Sequence, residues 1–93
     1  MKKYRCTHDI IASILTALAS DDKRITELCL HVEIPIDRGK IIIKHLLAYG
    51  LIITKNKNNV LYYSITNTGY KWLGIYNSLR TLLPLMNDKK IEL

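Results

Sequence analysis

The sequence is short of most features that would give it a catalytic or membrane role. Its 93 residues hold four glycines, two prolines, two cysteines and a single tryptophan. No apolar run approaches the ~18–20 residues of a membrane span. No internal repeat, low-complexity stretch or linker interrupts the chain. Glycine and proline are too few for a collagenous or disordered chain, and 48% hydrophobic with 24% charged residues suits one folded core. There is no glycine-rich phosphate loop, no nucleophile elbow and no metal-ligand cluster of standard spacing. The carboxylates Asp9, Asp21, Asp22, Glu27, Glu33 and Asp37 fall at helix ends or turns, where capping accounts for them. No enzymatic activity and no cofactor are expected. The first six residues are basic and meet Thr7-His8-Asp9 before any apolar stretch, which argues against a signal peptide and for a cytoplasmic protein.

What is present is positive charge. Fourteen Lys and Arg against eight Asp and Glu leave a formal net charge of +6. On so short a chain this excess points to a polyanionic partner, nucleic acid first and an anionic membrane or acidic protein second.

Periodicity organises the chain into one domain over 1–93. Ile10, Ile11, Ile14, Leu15 and Leu18 form one helix face, predicting a helix from Thr7, a candidate N-cap, to Ala19. A polar turn at 20–24 follows. A second helix is predicted from Thr26, again a cap candidate, to Val32, with Leu28, Cys29 and Val32 inward. Pro35 stops it and opens a third helix running to Tyr49, because proline suits the first turn and pushes Ile34 out of the α region. Ile36, Gly39, Ile43, Leu46 and Leu47 are its expected inner face, Gly39 allowing close approach to the second helix and Gly50 closing its C-terminus. The period then changes. Leu51–Lys55 and Val60–Ile65 read as strands around an Asn56-Lys57-Asn58-Asn59 loop, a hairpin whose asparagines tolerate positive φ. Thr66 caps a last helix over 67–83, and Pro84 precedes a tail at 84–93. The order predicts an α+β, mainly helical, winged helix-turn-helix with a core over 7–66.

The segments Ile43-Lys44-His45-Leu46-Leu47-Ala48-Tyr49-Gly50-Leu51-Ile52 and Tyr62-Tyr63-Ser64-Ile65-Thr66-Asn67-Thr68-Gly69 carry a resemblance. They are similar to the "xxLLxxGLI … YxITxxGxxxL" pattern of winged helix-turn-helix DNA-binding proteins, in particular a small basic archaeal group that dimerises through a C-terminal helix. The resemblance spans about Ile10 to Leu83. It implies no catalysis, a third helix in the DNA major groove, a wing on the neighbouring backbone and an antiparallel helix pair between subunits. This chain departs from the pattern in two ways. Pro84 limits the last helix to roughly five turns, and Trp72 and Tyr76 make its seam more aromatic.

Placement of the charges gives the candidate sites. Arg38, Ile41, Lys44 and His45 share the outer side of the third helix, with Asp37 and Lys40 flanking. Arg38 is the candidate base reader, since its fork can bridge guanine O6 and N7; Lys40 and Lys44 suit phosphates, and Ile41 a thymine methyl. Lys55, Lys57 and Asn58 at the wing suit backbone or minor-groove contact. Lys2, Lys3 and Arg5 make a basic N-terminal arm. Of Tyr62 and Tyr63, which alternate, one is expected on the core and one outside. Trp72, Tyr76, Leu79, Leu82 and Leu83 are the candidate dimer seam, with the first helix of the same chain as the other partner for that stripe. Cys6-Thr7-His8 and Cys29-Leu30-His31 pair sulfur with imidazole, but C-x-H is not a zinc spacing, so no metal is expected. A Cys6–Cys29 disulfide and two buried inert thiols both remain open, the thiols being the default in a reducing compartment.

The reading that results is a homodimer on double-stranded DNA, acting as a transcription regulator in the cytoplasm at the nucleoid. A chromatin-type architectural binder with little sequence preference and a protein-interaction module are the alternatives. Richness in isoleucine, asparagine and lysine suits an AT-rich genome, archaeal or viral.

Overall fold

The computed structural model describes residues 7–82. Four helices and one hairpin follow in the order α1 (Thr7–Ser20), α2 (Ile25–Val32), α3 (Ile36–Ala48), β1 (Ile52–Lys57), β2 (Val60–Ile65) and α4 (Asn67–Leu82). This is the winged helix-turn-helix read from the periodicity. Lys2, Lys3, Arg5, Cys6, Leu83, Pro84 and the tail lie outside the described residues.

The core forms where the apolar stripes of α1, α2 and α3 meet the hairpin. Ile10, Ile14, Leu15, Leu28, Leu46 and Ile52 are almost wholly removed from solvent. Burying side chains of this size contributes about 1.5–3 kcal/mol each before the entropy of ordering them is counted. Gly39 lets α2 and α3 close on each other: a Cβ built there would collide with the Cys29 sulfur. The inner face of α3 differs from the expected one. Ile42 joins Gly39, Ile43 and Leu46 in the buried set, whereas Ile36 is exposed and Leu47 half-buried. The contact with α2 is made one turn further on, through Gly39, so the first turn of α3 projects beyond the core.

Caps decide the joints. Thr7 is already helical, so it is not a flanking cap. α2 starts at Ile25 with Arg24 as N-cap, because Glu27 reaches back to accept a hydrogen bond from the Arg24 N–H at 2.9 Å. Thr26, the cap expected from sequence, therefore lies inside the helix. Both α2 and α3 end in Schellman turns. Glu33 N–H donates to Leu30 O and Ile34 N–H to Cys29 O; Gly50 N–H donates to Leu47 O and Leu51 N–H to Leu46 O. Gly50 takes its left-handed φ of 75° without cost, while Glu33 adopts 63° with a side chain attached. Thr66 joins α3 to α4: its hydroxyl donates to Gly50 O at 2.6 Å and accepts from the Gly69 N–H at 3.1 Å.

The hairpin is antiparallel, with Ile52 opposite Ile65 and Lys57 opposite Val60. β1 runs through Asn56 and Lys57, which the sequence placed in a four-residue loop. Asn58 and Asn59 alone make the turn, at φ 52° and 64°, the left-handed pair that a two-residue type I′ turn demands. The link between α1 and α2 adds a third partner, since Lys23 and Tyr63 exchange both backbone hydrogen bonds, at 3.2 and 2.8 Å.

Candidate nucleic-acid interface

The turn at Glu33 and Pro35 presents α3 as the second, longer helix of a helix-turn-helix. With Gly39, Ile42, Ile43 and Leu46 turned inward, the helical period leaves Arg38, Lys40, Ile41, Lys44 and His45 in solvent. Among the described residues no carboxylate lies within ion-pair distance of Arg38, Lys40 or Lys44. Ile41 stands in their midst with 59% of its surface exposed. A large apolar side chain so wet within a cationic face is suited to a partner surface rather than to the core.

His45 stands at the margin of this face. Its Nδ1 donates to the Ile41 carbonyl at 3.0 Å, since a carbonyl can only accept, and this ties the ring to its own helix. The ring also lines a groove of about 470 Å³ between α1, α3 and α4, together with His8, Ile11, Ile42, Tyr49 and Trp72. It therefore borders the cationic face and does not sit at its centre.

The wing is built differently. Lys55 and Lys57 alternate onto one face of β1 with Ile53, opposite Tyr62 and Ser64 of β2. Tyr63 packs on the core and Tyr62 lies outward, as the alternation requires, with the Lys57 ammonium 5.1 Å above its ring. Both ammonium groups also meet Asp22 Oδ2, Lys57 at 3.3 Å and Lys55 at 3.8 Å. Hydrogen bonds from Ser64 and Lys57, and the nearby Lys55 charge, hold the Asp22 carboxyl below the usual carboxylate range. Asn58, in the turn, is exposed. Sequence reasoning left Asp22 as a turn residue. Its role depends on the Lys23–Tyr63 pairing, a contact across forty residues that no local pattern announces.

Of the candidate dimer residues, Trp72 and Tyr76 are half-buried against α1. Trp72 stacks on His8 with centroids 6.2 Å apart and on Tyr76 at 5.4 Å, and the Tyr76 hydroxyl donates to the Asp9 carboxylate. The flank of α4 next to that face is apolar and open: Ile75, Leu79 and Leu82 follow one another at spacings of four and three and are all exposed. Cys29 is buried against Gly39, and burial pushes its thiol pKa up, which suits an inert thiol. Among the described residues no group of three or more His, Cys, Asp or Glu is placed to hold a metal ion.

Known proteins share this arrangement. A structure of Sso10a-2, a DNA-binding protein from Sulfolobus solfataricus, matches with a TM-score of 0.77 at 20% identity, covering 92% of this chain and 90% of that one. The transcriptional regulator BldR of the same organism matches at 0.67 and 18% identity, over 81% of this chain and 60% of its own. The homodimeric winged helix-turn-helix DNA-binding domain Mb0332 of Mycobacterium bovis matches at 0.64 and 15% identity, over 85% and 73%. A search of curated proteins returned no match. The family model for winged helix-turn-helix proteins matches residues 4–84. That family and fold are those of DNA-binding regulators and not of enzymes. On the strength of that match and of the helix-turn-helix and wing described above, the chain belongs to the winged helix-turn-helix family.

Proposed function

We propose that the protein is a homodimeric transcription regulator that binds double-stranded DNA, with α3 in the major groove and the wing on the adjacent backbone. The observation that carries this reading is the outer face of α3, where Arg38, Lys40 and Lys44 have no carboxylate partner among the described residues and surround an exposed Ile41. Cations there gain from phosphates, and the planar Arg38 fork suits a guanine edge. Lys55, Lys57 and Asn58 supply backbone contacts from the wing, His45 borders the face, and Lys2, Lys3 and Arg5 add further positive charge for the DNA backbone. No metal or cofactor enters the mechanism.

Two copies join through α4. Ile75, Leu79 and Leu82 form an open apolar stripe, Trp72 and Tyr76 buttress it from the α1 side, and Leu83 belongs to the same proposed contact by its sequence spacing. Covering that stripe by a two-fold partner removes the apolar surface and aims two α3 helices at one duplex, matching a palindromic site. The place of action is the nucleoid, in the cytoplasm. That Sso10a-2 is a DNA-binding protein and BldR a transcriptional regulator agrees with this reading.

Gel shifts test it. The parent protein is expected to retard duplex DNA at low salt, and Arg38→Ala/Lys44→Ala/Lys57→Ala to bind at least tenfold more weakly. Equal binding by parent and triple variant would remove this face from the mechanism. No binding by the parent would leave a protein-interaction module. Selection of duplexes from a random pool measures sequence preference; equal affinities for unrelated duplexes would replace the regulator with an architectural binder. Sedimentation of Leu79→Glu, expected to be monomeric, tests the α4 contact.

A further inference from the structure

The wing lysines do not stand ready for phosphate in the way the α3 cations do, and the reason is a residue outside both elements. The link after α1 runs beside β2 because Lys23 and Tyr63 exchange backbone hydrogen bonds, which makes the link a short third strand. Along a strand, neighbouring side chains point to opposite faces. Asp22, next to Lys23, accordingly falls on the wing face that carries Lys55, Lys57 and Ser64. Its side chain is only 20% exposed, fixed by the Ser64 hydrogen bond, and one oxygen, Oδ2, meets both ammonium groups.

We propose that Asp22 is a built-in counter-ion that occupies the phosphate-binding ends of Lys55 and Lys57 in the free protein, so that DNA must displace a carboxylate to engage the wing. The inference rests on the reading of the protein as a DNA binder. Its physical content is a competition. Each lysine is about half exposed, at 47% and 53%, so each is free to swing from Asp22 to a phosphate. Asp22 itself is held by Ser64 and by the backbone pairing at Lys23, so it stays beside the arriving phosphates. Its negative charge then costs affinity twice, once through the ion pairs surrendered and once through repulsion. The device limits wing binding while leaving α3 untouched, which shifts discrimination toward the helix that reaches base edges.

Asp22→Asn keeps the shape and an acceptor for Ser64 while removing the charge. Fluorescence anisotropy with a labelled duplex, titrated across salt, is expected to show Asp22→Asn binding about three- to tenfold tighter than the parent near 100 mM salt. The log–log salt slope should steepen by about 0.9 for each lysine released to phosphate. In a Lys55→Met/Lys57→Met background the same Asp22→Asn change should leave the slope unaltered. A merely structural Asp22 would change thermal stability but not the slope. Equal or weaker binding by Asp22→Asn, or the same steepening without the lysines, overturns the counter-ion. Absence of duplex binding by the parent at low salt overturns the DNA-binding reading, a result that equal binding by parent and variant cannot be confused with.

Discussion

The third helix and the wing are both basic, yet they hold their charge in opposite ways. On α3 the cations ride an element closed against α2: Gly39 leaves the room that the Cys29 sulfur occupies, and Arg38, Lys40 and Lys44 meet no carboxylate among the described residues. On the wing, β1 carries two lysines, Lys55 and Lys57, that share one carboxylate. Counting positive residues would rank the two alike. Geometry ranks them differently, because a cation that must first leave a carboxylate gains less from a phosphate than one solvated by water alone.

That difference is open to attack, most sharply through DNA affinity. Arg38→Ala/Lys44→Ala is expected to weaken duplex binding by about 10- to 100-fold at 100 mM salt, against about three- to tenfold for Lys55→Ala/Lys57→Ala, both measured by anisotropy. Equal losses would erase the distinction. A smaller effect concerns what holds α3 in place. Gly39→Ala drives a methyl into the Cys29 sulfur and should cost about 1–3 kcal/mol in urea unfolding, followed by the fluorescence of Trp72. Pairing it with Cys29→Ala should recover part of that loss. On the wing side the weak point is the turn. Asn59→Ala places an alanine at φ 64° and should cost about 1 kcal/mol, whereas Asn59→Gly should be tolerated.

The smallest expected effect is acid sensitivity. Asp22 is lowered chiefly by Ser64 and then by its lysines, and Glu27 chiefly by the Arg24 N–H and then by its side chain. A carboxyl lowered by folding stabilises the native state above its unfolded pKa and loses that contribution as pH falls through the folded value. Unfolding midpoints should therefore hold steady down to about pH 5 and fall below about pH 4. Asp22→Asn should flatten part of that fall.

Much of the architecture was legible because local chemistry and tertiary need agree. Gly50 closes α3, Thr66 caps α4, the asparagines turn the hairpin and Gly39 admits α2, each for the reason its residue type suggests. Legibility failed where a choice was settled from a distance. Arg24 displaced Thr26 as cap because Glu27 reached back to it. Ile42 replaced Ile36 inside because the α2 contact begins a turn later. For Trp72 and Tyr76 the sequence left two partners open, a second subunit or α1, and it is the fold that brings His8 and Asp9 of α1 against them. The basic residues of α3 were readable from helical phase alone. The state of the wing lysines was not, because Asp22 arrives from the α1–α2 link.

The small junction at Thr66 has a mechanical corollary. One hydroxyl clasps the Gly50 carbonyl after α3 and the Gly69 amide in the first turn of α4, so the two helices leave a common pivot instead of a slack tether. In a two-fold assembly built on α4, the distance between the two reading heads is then dictated by helix geometry. Operators with half-sites at the wrong helical phase would be refused however well their bases matched.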